Sequence, residues 1–212
     1  MENQSYFNKI LVAADGNPMS IQAEEVTAEI AKKFKSKVTV IHVVAHDLSD
    51  TQLRQELRTT PEAVVKEIAG YYLQKGRGTI DYAAMLLQEE GIEVKTILEE
   101  YMDPAEAIIQ EIERRKYDLV VLGNRGESEA ETFSLGSVAD KVATHAPCSV
   151  LIVKKGTKIS KILVAIDGSE NAKKALNHAV QLASRIKANI TLLNVQRSTL
   201  YKLKPSVAKD VG

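Results

Sequence analysis

Gly123-Asn124-Arg125-Gly126, nine further residues and then Gly136-Ser137 stand directly behind an apolar run, Asp118–Leu122. Glycine lets a backbone come close to a ligand, and a Gly-Ser pair opening a helix offers a hydroxyl and N–H groups that have no intrahelical acceptor. Because the amino end of a helix is its positive end, the run is an anion cradle, and phosphate is the anion it suits. Nucleotide binding is the chemistry to expect.

The other reactive side chains do not assemble into a second chemistry. Ser137, Asp140 and His145 would share one helix, which keeps nucleophile, base and orienter from converging. His42, His46, His145 and His178 fall into no metal-ligand spacing. Cys148, ahead of the apolar Ser149–Val153, reads as a small buried filler. Tyr71-Tyr72 and Met85-Leu86-Leu87 read as helix core, with a partner surface as the alternative.

Elements that would position the cradle can be read from the apolar patterning. Strands are expected at Lys9–Ala14, Lys37–Val43, Glu93–Leu98, Asp118–Leu122 and Ser149–Val153, and helices near Pro18–Lys35, Pro61–Glu90, Pro104–Lys116 and Leu135–Ala146. Asp103-Pro104 is a cap followed by proline at the first helical position, and Gly91 stands where a helix should end. Gly76-Arg77-Gly78 interrupts the second helical run at a cost of about 2 kcal/mol in propensity, so one long helix with a weak middle is expected over a helix–turn–helix. Strands joined by crossover helices make an α/β fold, a doubly wound Rossmann-like parallel five-stranded sheet, whose ligand lies beyond the strand carboxyl ends.

The chain also repeats itself. Lys9–Val43 aligns without gaps on Lys161–Val195 at an offset of 152, and twelve of the 35 pairs are identical, including Asp15/Asp167 and Gly16/Gly168. Composition alone gives about two or three. A complete domain over 1–156 followed by a partial β-α-β repeat over 157–212 is the expected organisation. The partial repeat, with strands Lys161–Ile166 and Asn189–Val195 around helix Ala172–Ile186, has no second cradle, so one nucleotide site per chain is expected.

Bulk properties narrow the partners. Lys and Arg total 28, as do Asp and Glu, which leaves no net field toward nucleic acid or an anionic membrane. A single cysteine excludes an internal disulfide, and no membrane span or signal peptide is visible, so a cytoplasmic location is expected.

With these residues in view, the chain resembles the universal stress protein family. The likeness rests on Lys9–Gly16 (KILVAADG), the IHVV ending of the second strand, DPAEAI at Asp103–Ile108, and GNRG through GSVADKVATHAPCSVLIVKK. The spacing Gly-x2-Gly-x9-Gly-Ser is the signature of that family's ATP-binding branch. The resemblance implies a sheet ordered 3-2-1-4-5 and ATP, or another adenine nucleotide, across the ends of strands one and four. Asp15 would then sit by adenine and ribose, beside small residues at Ala14, and Val43 would offer backbone groups to adenine. Gly123, Gly126, Gly136, Ser137 and Val138 would take ribose and phosphates.

The resemblance also implies a homo-oligomer through Ser149–Val153, and the uncovered faces of the partial repeat add a second contact. It implies a regulatory module that acts through its dimer or its partners, with at most weak, incidental ATPase activity. A nucleotide-free dimeric scaffold is the alternative, and an enzyme of a related fold would need HIGH-like or SGGxDS-like signatures that are missing. Asp15 has a plainer use as well, capping the next helix, as does Ser137. Glu127, Glu129 and Glu131 in the nine-residue spacer either point into water or make binding depend on Mg2+, with Arg125 compensating part of the charge.

Overall fold

Each strand of the first repeat begins where β-branched residues concentrate and ends at a residue that opens a turn. The structure, a computed structural model, describes residues 6–44, 60–100, 102–124, 135–154, 156 and 158–195. In order these hold β1 (Lys9–Ala13), α1 (Pro18–Phe34), β2 (Lys37–Val44), α2 (Glu62–Glu89), β3 (Val94–Glu100), α3 (Pro104–Arg115), β4 (Leu119–Gly123), α4 (Ser137–His145), β5 (Ser149–Val153), β6 (Lys161–Ala165), α5 (Glu170–Ile186) and β7 (Asn189–Leu193).

The first five strands form one parallel sheet in the order β3-β2-β1-β4-β5. Val12 is in register with Val40 on one side and Val121 on the other, and all three side chains are fully buried. Buried strands of this kind need helices on both faces. α3 and α4 cover one face, where Leu11, Ile41, Ile108, Ile112, Tyr117, Ala139 and Val142 share a core. α1 packs against β1, β4 and β5, and α2 against β2 and β3.

Local chemistry explains the helix boundaries. Asn17 caps α1, its side chain accepting from the N–H groups of Met19 and Ser20, with Pro18 at the first helical position. Asp103 caps α3 in the same way through the Glu106 N–H. Lys35, Lys116 and Lys187 end their helices in the left-handed conformation.

The second helical run is one helix of 28 residues. Its buried residues are Gly76, Ile80, Ala83, Ala84 and Leu87, so the half before Gly76 lies beyond the sheet's cover. That corrects part of the core assignment: Leu87 is core, but Tyr71, Tyr72 and Met85 are 65%, 45% and 44% exposed.

The chain comprises two compact units, Met1–Lys158 and Ile159–Gly212. In the second unit β6 and β7 pair in parallel, and α5 packs on both strands. Its exposed apolar residues include Leu163, Leu192, Leu193 and Val195. Among the described residues no helix is long and apolar enough to cross a membrane.

Candidate functional site

The carboxyl ends of β1 and β4 lie side by side at the centre of the sheet, and both lead into turns. After β1, Ala14 is buried, its N–H donating to the Ile41 carbonyl at 2.9 Å. Its own carbonyl lies 2.6 Å from Nδ1 of His42. A carbonyl only accepts, so the His42 proton sits on Nδ1 in this contact.

Asp15 and Gly16 are exposed at the mouth of the site, and Gly16 takes φ +82, where a side chain is strained. Asp15 does not cap α1 itself. Its carboxylate accepts from the Asn17 backbone N–H at 3.1 Å and from the Asn17 side-chain amide at 2.6 Å, and so fixes the residue that does cap the helix. The repeat has the same device: Asp167 accepts from the N–H of Ser169, which caps α5. The Ser169 side chain and, after it, the Ser169 N–H hold the Asp167 carboxyl below its ordinary value by hydrogen bonding to it.

Behind the turn, the Asp15 N–H donates to Ser20 Oγ at 3.1 Å, and Ser20 Oγ donates to Glu24 Oε1 at 3.1 Å. Glu24 is 2% exposed, and its Oε2 has no partner among the described residues. Burial pushes this carboxyl up to about 7; the charges of Asp15 and Glu25 add to the shift and the Ser20 hydrogen bond opposes it.

On the β4 side, Gly123 is a glycine because α1 comes so close. A Cβ there would lie 2.9 Å from the Met19 carbonyl carbon and 3.0 Å from its Cβ. Asn124 ties three elements together, its N–H donating to the Val153 carbonyl and its carbonyl accepting from the Gly136 N–H, each at 2.8 Å. Its side chain is buried, with Oδ1 unpartnered among the described residues.

Gly136 is the N-cap of α4. It is buried, and no side chain caps the helix, whereas α1, α3 and α5 all have side-chain caps. Ser137 is the first helical residue and is exposed; Val138 follows half-buried. The helix starting at Glu62 likewise begins without a side-chain cap, so what sets α4 apart is its position, with its positive end at the carboxyl end of β4. Asp140 is the acidic residue of the first turn of α4.

The fold therefore brings Ala14, Asp15, Val43, Gly123, Gly136, Ser137 and Val138 to the carboxyl edge of the sheet. Arg125 and Gly126 lie outside the described residues, as do Glu127, Glu129 and Glu131. The sequence reading passed over Asn17, Ser20, Glu24, His42 and Asn124 as parts of this edge. Asn17 carried a visible signal, an asparagine before a proline at a helix start, and Asn124 lay inside the Gly-x2-Gly spacing.

Among the described residues no group of three His, Cys, Asp or Glu could hold a metal ion. Cys148 is half-buried with its thiol pushed up to about 11 by burial, which suits a filler.

Comparison with known proteins gives a consistent picture. The model of the universal stress protein family matches residues 7–154 and 158–211. The chain is 31% identical over 148 residues to universal stress protein YxiE of Bacillus subtilis (strain 168), covering 70% of this chain and 99% of that one. A universal stress protein structure from Archaeoglobus fulgidus superposes with a TM-score of 0.68 at 20% identity, over 98% of this chain and 76% of that one. A universal stress protein solved in complex with cAMP superposes with a TM-score of 0.50 at 21% identity, over 71% of this chain and 98% of that one.

Proposed function

The chain belongs to the universal stress protein family, and from that membership we propose that it binds ATP or another adenine nucleotide, with Mg2+, as a cytoplasmic regulatory module. The observation that carries the proposal is the junction of β4 with the positive end of α4, where the Gly136 N–H donates to the Asn124 carbonyl and the buried Asn124 Oδ1 has no partner among the described residues. A helix start aimed at the sheet edge and a buried amide oxygen without a partner among the described residues are features that a polar ligand would satisfy.

In this reading the phosphates lie on the Gly123–Val138 segment, with Arg125 and Gly126 part of the cradle, and the base lies between Ala14, Asp15 and Val43. A family structure with cAMP bound supports the adenine class of ligand. The second unit repeats Asp15 and Gly16 as Asp167 and Gly168, the latter at φ +86. Mg2+ arrives with the nucleotide and screens its phosphates from the spacer glutamates.

Association of copies through the half-buried edge strand β5 and the apolar face of the second unit carries the signal. Among the described residues no acid, base and nucleophile converge on the proposed phosphates, and the protein is read as a binder with at most weak, incidental ATPase activity.

One observation favours the nucleotide-free scaffold as a second reading. Gly123 and Asp15 both have uses within the fold, against Met19 and Asn17, that require no ligand. Native mass spectrometry of protein purified without added ligand separates the two. The nucleotide reading expects an adduct with the mass of an adenine nucleotide or, after its removal, one restored by ATP; the scaffold reading expects neither.

A further inference from the structure

At the opposite edge of the same sheet a cavity of about 180 Å³ opens under the carboxyl end of α3. Its lining includes Lys9, Lys37, Lys95 and Arg115 against one carboxylate, Glu93. Lys9 and Lys37 are in register at the first positions of β1 and β2, and Lys95 on β3 is in register with Thr39.

The floor is built rather than incidental. Thr39 and Tyr117 line the cavity and are more than nine-tenths buried. Tyr117 donates to Glu111 Oε1 at 3.0 Å, and Glu111, itself 2% exposed, is shared with Arg114 and with Arg115, whose Nε lies 3.0 Å from Oε1. Lys9 Nζ is anchored on the Arg115 carbonyl at 3.2 Å. Arg115 is therefore compensated from within, and Lys9 is oriented. Lys37 and Lys95 form no ion pair among the described residues, so two ammonium groups converge on one cavity with Glu93 as the only carboxylate in its lining.

We propose that this cavity is a second anion site, which takes a compact phosphate between Lys37 and Lys95 above the Thr39–Tyr117 floor. Size sets the class of ligand. The volume is below the roughly 300 Å³ at which pockets begin to enclose drug-sized molecules, and corresponds to about six waters, room for a phosphate group but not for a nucleotide. Charge sets its sign, because two uncompensated ammonium groups repel until an anion lies between them. The site is separate from the nucleotide cradle: β2 alone, eight residues from Lys37 to Val44, spans roughly 25 Å between the two edges. It stands whether or not the cradle holds nucleotide.

The anion can be free phosphate or the head of a small phosphate monoester, and calorimetric titration of the full chain with inorganic phosphate and, separately, with glycerol 3-phosphate distinguishes them by which binds more tightly. Saturable binding of either is expected. Lys37→Gln/Lys95→Gln should weaken it about tenfold or more, while Lys173→Gln, on the exposed face of α5, should leave it unchanged. In the unmodified chain, amide chemical shifts on phosphate addition should concentrate at Thr39, Lys95 and Tyr117. No saturable binding of either probe, binding abolished by Gly126→Asp but not by the double lysine variant, or shifts confined to Asp15 and Gly136 would each overturn the assignment.

Discussion

A Cβ placed on Gly76 would lie 2.7 Å from Cγ2 of Val44, so the middle of α2 presses on the end of β2 where only a glycine fits. His42 closes the same contact, its Cδ2 at 3.0 Å. Gly78, two residues on, has nothing within 4 Å of the same position. The two glycines should therefore respond oppositely. Gly78→Ala should stabilise by about 0.5–1 kcal/mol through helix propensity, while Gly76→Ala should lose about 1–3 kcal/mol to overpacking. Chemical denaturation of the two variants checks this, and equal gains would show that α2 does not approach β2 so closely.

Glu24 sets a pH dependence. Its carboxyl titrates near 4.5 in the unfolded chain and about 7 in the fold, so the folded state holds the proton more tightly. The favourable difference is complete below pH 4.5, is lost as pH rises to 7, and totals about 3 kcal/mol. Relative to the parent, Glu24→Gln should gain stability steadily from pH 4.5 to 7 and then level off. Parallel stability curves for the two proteins would show that Glu24 is not buried as described.

Leu11 and Leu163 are repeat mates with opposite fates, the first fully buried and the second 64% exposed. Leu11→Ala should cost about 3–5 kcal/mol, as large-to-small changes in a closed core do. Leu163→Ala should change folding stability by less than about 0.5 kcal/mol. If copies associate through the second unit, Leu163→Asp should also lower the mass seen by light scattering at unchanged melting temperature. An unchanged mass would remove that face from the proposed contact.

How much of this was legible in the sequence varies with what each feature depends on. Strands such as Lys9–Ala13 and caps such as Asp103-Pro104 are local, and their signals sit in adjacent residues. The cradle spacing was legible too, but the reason for Gly123 was not, because Met19 reaches it only through the packing of α1. Gly76 read as a weak point in a helix and is instead a contact point. Tyr71 and Tyr72 fit an amphipathic pattern, yet the helix outruns the sheet that would have covered them. The Asp15–Ser20–Glu24 chain and the Thr39–Tyr117–Glu111 floor join residues whose types are ordinary; only the fold assembles them.

The spacer glutamates give the nucleotide reading a cation dependence. With Glu127, Glu129 and Glu131 close to a triphosphate, ATP affinity should fall about tenfold or more when Mg2+ is removed. Titrations with Mg2+ and in EDTA measure it. Equal affinities would mean that these side chains face water.

Calorimetric titration of ATP with Mg2+ into the full chain and into Gly126→Asp is the most direct test of the nucleotide cradle. One site per chain is expected in the parent, with binding weakened at least a hundredfold by a carboxylate placed among the phosphates. ATP bound with the same affinity by both proteins, or by neither, would contradict the placement of the phosphates at the first turn of α4.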